Sequence, residues 1–498
     1  MKTSLSKPIE VRVHKNASSR AKADLLVIPY FMKEKASPVQ ASASVELTEE
    51  QLRPLNLGDF NGSANQILCL YQEGQKEPRI LLLGLGAVSS ITTERLRRAY
   101  SAVLKWCQEH KLNTANLLLP KLESLPTSES VRGVIEGILL TNYTFHHNLP
   151  NDKQPTLSTV RLIGDATSRQ VQEAVGVCQG ILYARDLINE NADQLTPPEL
   201  AKASLSLAKS YPKLKATIFD EKRIKKEGLS LLEAVGRGAV HPPRFILLRY
   251  QGNPRSKDHT VLVGKGITYD TGGLNLKNPT GMEHQRSDMG GAGAVLGAMR
   301  ALAELQLPVN VTAVIPSAEN AIDANSYKQG DVYPSYSGKT VEIGNTDAEG
   351  RLILADALSY AVRNLKPSRV IDFATLTGAI VIALGDAAAG LFTNDDALAE
   401  ELSAAGKTSE DQVWRLPLIE EYTSKLSSDR ADLCNVGDRG GASITAALFL
   451  QAFVEETPWA HLDIAGVRFR KEAKHYHPKG ATGFGVRLVI DFLRRLAK

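Results

Sequence analysis

Four carboxylates and three cations fall in three short, glycine-rich segments of this sequence. The segments read "GKGITYDTGGLNLK", "SDMGGAGAV" and "NTDAEGRL". Their ionisable residues are Lys265, Asp270, Lys277, Asp288, Asp347, Glu349 and Arg351. Carboxylates brought together repel one another at neutral pH, and divalent metal ions relieve that repulsion. Two metal ions bridged by carboxylates activate a shared water, so these residue types predict metal-assisted hydrolysis. Oxygen ligands without obvious Cys or His suit Zn²⁺, Mn²⁺, Mg²⁺ or Co²⁺.

Each of these residues also has an ordinary structural role that its local sequence favours. Thr346 to Glu349 fits the T-x-x-E capping box at the start of a helix. Asp270 suits a turn before two glycines, and Asp288 suits a helix N-cap. The metal-centre hypothesis therefore depends on whether the fold brings the three segments together.

The elements that would position these segments alternate along the C-terminal part of the chain. Strands are predicted at "KATIFD", "FILLRYQG", "TVLVGKG", "NVTAVIPSAE", "TVEIGNT" and "RVIDFATL", and helices at "GAGAVLGAMRALAEL" and "GRLILADALSYAVRNL". This alternation predicts a mostly parallel sheet flanked by helices. Ligands gather at the carboxyl ends of such strands, and two of the charged segments directly follow predicted strands.

Residues 1–167 predict a separate N-terminal α/β domain. Its strands are predicted at "ADLLVIPYF", "QILCLYQ", "RILLLGLG", "NLLLPKL" and "VRLIGD", with a helix at "TTERLRRAYSAVLKWCQEH". Residues 148–158 have the composition of a loop, and a connecting helix is predicted within residues 168–192. The predicted fold class is α/β, with two domains that each contain a helix-flanked, mostly parallel or mixed sheet. The larger, catalytic domain would comprise residues 193–498.

Composition argues against several classes of function. The 498 residues are 43% hydrophobic and 23% charged, which allows large cores. The net charge of +4 gives little support for nucleic-acid or membrane binding. The four cysteines form no CxxC pair, so buried reduced thiols are expected. No segment has the character of a secretory signal or a membrane span, so a cytoplasmic protein is expected.

Together, the segments resemble those of the leucyl aminopeptidase family, the cytosolic M17 metallopeptidases. "NTDAEGRL" is the signature of that family and is intact here, and "GKGITYDTGGLNLK", "SDMGGAGAV", "ATLTGAIVIALG" and "WAHLDIAG" also match. The resemblance implies an enzyme that hydrolyses the first residue from peptides with a free N-terminus. It also implies two divalent metal ions per subunit, zinc or manganese with magnesium or cobalt as alternatives, and assembly as a homohexamer.

The resemblance further implies a ligand set of Lys265, Asp270, Asp288, Asp347 and Glu349. Asp270 and Glu349 would bridge both ions, Lys265 and Asp288 would complete the tighter site, and Asp347 the more exchangeable one. Lysine ligates a metal only as the neutral amine. Removing its proton at pH 7 costs about 4.6 kcal/mol, from a pKa of about 10.4. Burial and two adjacent dications can supply that energy, whereas arginine stays protonated.

For catalysis, the resemblance implies that a hydroxide bridging the two metals attacks a carbonyl polarised by Lys277. Arg351 would hold a bicarbonate ion that acts as general base. Four further residues lie where the family contacts substrate: Gln285, Thr375, Leu376 and Gly378. Gln285 departs from the methionine usual in the family, which predicts a broader or more polar preference for the first side chain of the substrate.

Two other functions are alternatives. A different two-metal hydrolase, such as a phosphatase, would typically use histidine ligands, which these segments lack. Some bacterial members of the family bind DNA as architectural factors, but the nearly balanced charge makes nucleic acid a weaker expectation. Retention of every ligand position argues against an inactive relative. His461, Trp459 and Asp463 of "WAHLDIAG" are expected to be structural.

Overall fold

Long apolar runs of the sequence become the central strands of two separate sheets, each in its own unit of the chain. The computed structural model describes residues 9–33, 36–42, 45–145 and 156–497. The N-terminal unit comprises Lys2–Cys178 together with Glu472–Lys479, and the C-terminal unit comprises Gln179–Lys471 and Gly480–Lys498. Most of the loop predicted at residues 148–158 lies outside the described residues. The domain boundaries predicted at residues 167 and 192 stay predictions.

The N-terminal unit contains a mixed sheet of seven strands. Its elements are β1 (Glu10–His14), β2 (Leu25–Lys33), β3 (Ala36–Gln40), α1 (Glu49–Leu57), β4 (Ile67–Tyr71), β5 (Arg79–Ala87), α2 (Thr93–Glu109), β6 (Thr114–Leu118), α3 (Thr127–Thr141) and β7 (Thr159–Ile163), followed by α4 (Ser168–Asn189), which continues into the C-terminal unit. The strand order is β1-β7-β6-β2-β5-β4, with β3 paired to β2. In the run β1-β7-β6-β2-β5, each strand is parallel to its neighbours. Strand β3 pairs antiparallel with β2, and β4 pairs antiparallel with β5.

The core of the N-terminal unit follows from its sequence. Strand β2, "LLVIPYFMK", is apolar over most of its length, as expected for a strand covered on both faces. Leu26 and Ile28 of β2 belong to a buried cluster that also contains Ile80 and Leu82 of β5. Helix α2 begins where the Thr92 hydroxyl accepts a hydrogen bond from the backbone of Arg95, which caps the helix.

The C-terminal unit contains the larger sheet. Its elements are α5 (Pro197–Ser210), β8 (Leu214–Phe219), α6 (Glu221–Glu227), α7 (Ser230–Gly236), β9 (Arg244–Gln251), β10 (Thr260–Gly264), β11 (Gly266–Asp270), α8 (Pro279–Met282), α9 (Gly290–Leu305), β12 (Asn310–Asn320), β13 (Val332–Pro334), β14 (Thr340–Glu342), α10 (Glu349–Tyr360), β15 (Arg369–Ala374), α11 (Gly378–Leu384), β16 (Ala389–Thr393), α12 (Asp396–Ser409), β17 (Val413–Arg415), β18 (Leu433–Cys434), α13 (Ala442–Gln451), β19 (Trp459–Asp463), β20 (Phe469–Arg470), β21 (Gly480–Ala481) and α14 (Val486–Leu496). A 3₁₀ helix, Gln285–Met289, precedes α9, and a π-helical turn, Ala361–Leu365, follows α10.

Parallel strands form the centre of this nine-stranded sheet. The order is β17-β16-β19-β15-β10-β12-β9-β8, with β11 paired to β12. Strands β12, β10, β15 and β19 run parallel to one another, so their carboxyl ends share one edge. Strands β8, β9 and β16 pair antiparallel and make the sheet mixed. Helix α9 packs on β10 and β15, and α10 packs on β10 and β12. The predicted two-domain α/β class is thereby confirmed.

One predicted strand does not join the large sheet. Of the segment "TVEIGNT", only Thr340–Glu342 is extended, and this strand, β14, lies in a small sheet between β13 and β18. The chain then turns, because the Asn435 side-chain oxygen accepts hydrogen bonds from the backbone of Gly344 (2.8 Å) and Asn345 (3.1 Å). The prediction that "TVEIGNT" is a strand of the main sheet was therefore wrong.

Two further sequence expectations concern cysteines and membranes. None of the four cysteines, which all lie in the described part of the chain, forms a disulfide, and Cys107 and Cys178 are buried. Cys69 and Cys434 are only half-buried, which contradicts the expectation for these two, because they lie on the outer strand β4 and on the small sheet. Within the described residues, the helices are all too short or too polar to span a membrane.

Candidate metal centre

The three charged segments meet around a cavity of about 470 Å³ in the C-terminal unit. Ten of the predicted site residues line it, namely Lys265, Asp270, Lys277, Gln285, Asp288, Asp347, Glu349, Thr375, Leu376 and Gly378. The remaining predicted residue, Arg351, is not part of the cavity wall. The wall also includes Ala465 and Arg468, which the sequence did not single out.

The large sheet positions most of this wall. Lys265 directly follows β10, and Thr375 directly follows β15, at the carboxyl ends of neighbouring parallel strands. Asp270 is the last residue of β11. Asp288 lies in the 3₁₀ helix before α9, Glu349 is the first residue of α10, and Asp347 lies just before that helix. Of the five predicted ligands, Lys265 and Asp270 thus lie at strand ends, as parallel sheets favour.

Lys265 occupies the buried end of the cavity. Its Nζ lies 2.9 Å from Asp288 Oδ2 and 2.8 Å from Glu349 Oε1, and it donates a 3.0 Å hydrogen bond to the carbonyl of Thr375. A Cβ atom at Gly350 would lie 2.6 Å from this Nζ. Glycine is therefore required at position 350 for the lysine to reach both carboxylates.

Lys277 reaches a second pair of carboxylates. Its Nζ lies 2.8 Å from Asp270 Oδ2 and also contacts Asp347 Oδ1. One carboxylate oxygen from each of Asp270, Asp347 and Glu349 falls within 4.8 Å of the others. This spacing allows the three groups to share bound cations.

Neighbouring polar groups hold the carboxylates in place. Asp270 Oδ1 accepts hydrogen bonds from Asn320 Nδ2 (2.8 Å) and from the backbone N–H of Gly272 (2.9 Å). The Thr375 hydroxyl donates to Asp288 Oδ1 at 2.6 Å. Asn320 was not among the predicted site residues, although its position at the carboxyl end of the central strand β12 is a signal that could have identified it.

Burial and crowding shift the acidities in this cluster. Burial and the charge of Asp270 raise the pKa of Glu349 to about 8. Burial likewise raises the pKa of Asp288 and of Asp347. Burial lowers the pKa of Lys265, but the adjacent charges of Asp288 and Glu349 outweigh it and leave the pKa above its usual value. Each of these shifts favours a bound proton, which shows that the cluster carries an excess of negative charge.

The donor set fits divalent cations. Four carboxylates face two lysine ammonium groups, so negative charge is in excess. Glu349 Oε2 is buried and has no hydrogen-bond partner among the described residues. A buried carboxylate oxygen without a donor is costly unless a cation binds it. Carboxylate oxygens together with an amine that can lose its proton are suitable ligands for Zn²⁺ or Mn²⁺.

Arg351 lies behind this centre rather than in it. Its side chain is buried, and Nη1 donates a 2.8 Å hydrogen bond to the carbonyl of Asn435. Its Nε atom has no hydrogen-bond partner among the described residues, and none of their carboxylates forms an ion pair with it. Burial lowers the pKa of Arg351 to about 10. A guanidinium with this much unused donor capacity suits a small anion.

The structure also decides between the metal-centre hypothesis and the ordinary local roles. The capping-box prediction for Thr346 is wrong, because Ala348 is the N-cap of α10 and no side chain caps it. The Thr346 hydroxyl instead donates to the carbonyl of Gly272 at 2.7 Å, which ties two charged segments together. Asp288 is not an N-cap either, since Met289 holds that position before α9. Asp270 does make the turn contact with Gly272 described above.

The residues of "WAHLDIAG" support the cavity wall from the core. His461 Nδ1 lies 2.6 Å from Asp372 Oδ1, and Trp459 Nε1 donates to Asp372 Oδ2 at 2.7 Å. Asp463 accepts hydrogen bonds from the backbone of Leu376 (3.1 Å) and the hydroxyl of Thr377 (2.6 Å). Asp463 therefore positions the loop that carries the predicted substrate contacts.

Comparisons with known proteins cover both domains. The catalytic domain of the cytosol aminopeptidase family matches residues 182–490, and the N-terminal domain of that family matches residues 27–149. A "Probable cytosol aminopeptidase" of Protochlamydia amoebophila is 48% identical over 485 residues, which cover 96% of this chain and 97% of the relative. One from Chlamydia abortus is 45% identical over 490 residues, covering 96% and 98%.

Solved structures agree with the sequence relatives. The bottromycin maturation enzyme BotP in complex with Mn has a TM-score of 0.85 at 35% identity, covering 96% of this chain and 100% of its own. A mutant of tomato leucine aminopeptidase has a TM-score of 0.86 at 33% identity, covering 98% and 97%. From both domain matches and these nearly full-length similarities, we conclude that the chain belongs to the cytosol aminopeptidase family and is a peptidase, an enzyme of the hydrolase class.

Proposed function

We propose that this protein removes the N-terminal residue from peptides with two divalent cations bound per subunit, zinc or manganese. The observation that carries the proposal is the convergence of four carboxylates and two lysines on one cavity of about 470 Å³. The similarity to BotP, whose structure contains Mn, supports a divalent metal at this position.

Five residues would hold the two cations. Lys265 and Asp288 would bind one ion, and Asp347 would bind the other. Asp270 and Glu349 lie between these two groups and would contact both. When bound, the cations polarise the scissile carbonyl and activate a water molecule for attack.

Lys277 would act on the carbonyl oxygen. Lys277 lines the cavity, and its Nζ lies 2.8 Å from Asp270 Oδ2. The lysine is carried by the short segment that follows the end of β11. A positioned ammonium stabilises negative charge that develops on an oxygen as a carbonyl is attacked. Lys277 would therefore be a catalytic electrophile.

Arg351 would hold a bicarbonate ion. Its buried guanidinium has an unpartnered Nε, and the described residues offer it no carboxylate partner. When bound, bicarbonate supplies a general base of suitable acidity near neutral pH. Arg351 would fix the position of that anion through charge-assisted hydrogen bonds.

The part of the wall that carries the predicted substrate contacts would bind the peptide. Gln285, Thr375, Leu376 and Gly378 line this part of the cavity. The backbone of Leu376 is held by Asp463, and the hydroxyl of Thr377 caps α11 by accepting from Ile380. A loop fixed in this way holds a substrate in one orientation, which reduces the entropic cost of reaching the transition state.

Hydrolysis of leucine p-nitroanilide tests the proposal. The purified protein should cleave it, lose activity with a chelator and regain activity with added Mn²⁺. The N-acetylated substrate, which lacks a free amine, should not be cleaved. Equal cleavage of the blocked substrate, or full activity after verified metal removal, would contradict the proposal.

We further propose that the enzyme is a cytoplasmic homohexamer, as the family resemblance implies. Light scattering after size-exclusion chromatography should give six times the mass of the chain, and a monomeric mass would contradict the assembly.

A further inference from the structure

The cavity wall contains one cation that the proposed metal centre does not use. Arg468 lines the cavity five residues beyond the end of β19. Its Nε donates a 3.0 Å hydrogen bond to the Ser287 hydroxyl, and its Nη1 donates to the carbonyl of Ala465. Both partners are neutral. The two lysines of the cavity each contact two carboxylates, whereas Arg468 forms no ion pair with any described residue.

Arg468 retains donor capacity toward the cavity. Its Nη2 has no hydrogen-bond partner among the described residues, and it is not sealed from solvent. Burial lowers the pKa of Arg468, but a guanidinium stays charged at neutral pH. Asp288 and Asp463 act on this charge without forming an ion pair with it, and both hydrogen-bond partners of the half-buried guanidinium are neutral. The free donors of Arg468 therefore suit an anionic ligand.

Two amide side chains extend this polar part of the wall. Gln285 Nε2 donates one hydrogen to the carbonyl of Gly281 at 2.6 Å, which leaves its second hydrogen unused. Asn278 accepts a hydrogen bond from Gly281 through Oδ1, and its Nδ2 makes no hydrogen bond with the described residues. Both residues line the cavity. Together with Arg468 they form a donor-rich surface that a carboxylate can accept from.

The position of Arg468 relates it to the first residue of the substrate. Ser287, its hydrogen-bond partner, immediately precedes Asp288, a proposed ligand of the tighter metal site. A Cβ atom added at Gly290 would lie 3.3 Å from Thr375 and 3.4 Å from Arg468, so both side chains flank the start of α9. Lys277 instead contacts Asp270 and Asp347, on the other side of the carboxylate cluster.

We infer that Arg468, assisted by Gln285 and Asn278, binds the side-chain carboxylate of an N-terminal glutamate or aspartate, so that peptides beginning with an acidic residue are favoured substrates. This inference rests on the proposed aminopeptidase function and assigns Arg468 as a residue that determines specificity. The acidic group would form the direct ion pair that Arg468 does not make with any described residue.

Matched anilide substrates test the inference with the Mn²⁺-loaded enzyme at pH 8, where the glutamate side chain is ionised. We expect kcat/KM for the α-glutamyl anilide to exceed that for the isosteric glutaminyl anilide by about 10-fold or more. Arg468→Met should reduce the glutamyl value by about 10- to 100-fold and change the leucyl value by less than about 3-fold. Arg468→Lys should retain part of the glutamyl preference. Arg470→Met, which removes an arginine paired with Asp386 outside the cavity, is the matched control.

Several outcomes would overturn the inference. Equal losses for glutamyl and leucyl substrates in Arg468→Met would indicate a purely structural residue. A loss confined to dipeptides with a free C-terminal carboxylate would indicate that Arg468 binds that terminus instead. Cleavage of leucyl but not glutamyl anilide by the unmodified enzyme would reject the inference and leave the proposed function intact.

Calorimetry gives a readout that does not depend on turnover. Free glutamate should bind the Mn²⁺-loaded protein more tightly than glutamine, and Arg468→Met should remove the difference. If no anilide is cleaved, the proposed function fails, and equal binding of the two amino acids would then reject the role of Arg468 separately. Gln285→Met should leave binding of glutamate weaker by about 3- to 10-fold, because one neutral hydrogen bond is lost.

Discussion

Two buried clusters of charge, one in each unit, differ in a way that explains their roles. Between α2 and α3 of the N-terminal unit, Arg97 contacts Glu136 (2.5 Å) and Glu94 (3.2 Å), and Arg132 contacts Glu136 (2.9 Å). Arg98 also pairs with Glu94 (2.7 Å) and Glu129 with Arg132 (3.8 Å) at the edge of this cluster, so three arginines face three glutamates. In the C-terminal unit, four carboxylates face two lysines around the cavity. The first cluster is balanced by its own side chains, whereas the second requires added cations.

The type of cation reinforces the difference. A guanidinium is permanently charged and pairs with carboxylates through a rigid set of donors, so the arginine cluster has one stable state. A lysine can give up its proton when dications approach, which turns the same side chain from a counter-ion into a ligand. An excess of carboxylates paired with lysine thus indicates a metal site, and balanced arginine pairs indicate a structural one.

The largest effect is expected when a lysine of the metal centre is replaced by arginine, the type of cation found in the structural cluster. Lys265→Arg keeps the charge but cannot provide a neutral amine, so the tighter metal should be lost and kcat/KM should fall by about 10³-fold or more. Elemental analysis and the anilide assay measure both effects. Lys425→Arg, at an exposed pair with Asp438, is the control. Full metal content with full activity would show that position 265 is not a ligand.

The next effect comes from unbalancing the structural cluster. Glu136→Gln leaves Arg97 and Arg132 without their shared counter-ion, and should lower the free energy of unfolding of the N-terminal unit by about 3–5 kcal/mol. Urea unfolding measures the change. Glu173→Gln, at an exposed pair with Arg169, should cost less than about 1 kcal/mol. If both variants cost the same, the buried cluster contributes no more than a surface pair.

Removal of metal should separate the two clusters directly. Cations at 100 times their dissociation constant stabilise the folded state by about 2.7 kcal/mol. A chelator should therefore increase hydrogen exchange in α9 and α10 and leave α2 and α3 unchanged. Equal responses in both pairs of helices, or none in either, would argue against a metal centre confined to the C-terminal unit.

A smaller effect on stability is expected from pH. The C-terminal unit contains a buried pair of His461 with Asp372, whereas the arginine cluster contains no histidine. Burial lowers the pKa of His461, but the charge of Asp372 outweighs it and raises the pKa overall. The folded state therefore holds this proton more tightly than the unfolded state. The resulting stability is fully present below the unfolded pKa of about 6.5 and is lost as pH rises through the folded pKa.

Unfolding measured between pH 5 and pH 9 should show this loss in the C-terminal unit. His461→Asn should abolish the pH dependence above pH 6 that arises from this pair. A variant with the same pH profile as the unmodified protein would assign the dependence to other groups.

The sequence predicts some levels of this structure much better than others. Helix α9 was predicted at residues 291–305 and spans Gly290–Leu305, and β10 was predicted within one residue at its start, because continuous apolar runs and glycines mark them. Helix α3 and strand β1 were not predicted. Strand β14 was assigned to the wrong sheet, since three residues carry too little pattern to show their partners.

The site shows the same division. Ligand candidates were visible because their segments resemble a known family, and the cavity brings them together. The roles of Thr346 and Arg468 were not visible, because each depends on partners far away in sequence: the carbonyl of Gly272 and the hydroxyl of Ser287. The local T-x-x-E pattern predicted a helix cap at Thr346, but its hydroxyl makes a tertiary hydrogen bond instead. A single arginine such as Arg468 carries no local sequence pattern.

The short segment Glu472–Lys479 has a consequence for how this protein is made. It belongs to the N-terminal unit although the whole segment Gln179–Lys471 separates it from the rest of that unit in sequence, and within the unit Tyr476 is buried and donates to Glu94 at 2.8 Å. A ribosome that has synthesised only the first 178 residues has therefore not yet supplied the last piece of this unit. Completion of the N-terminal unit must wait until Lys479 has been synthesised, and a fragment ending at α4 would leave Glu94 without its tyrosine.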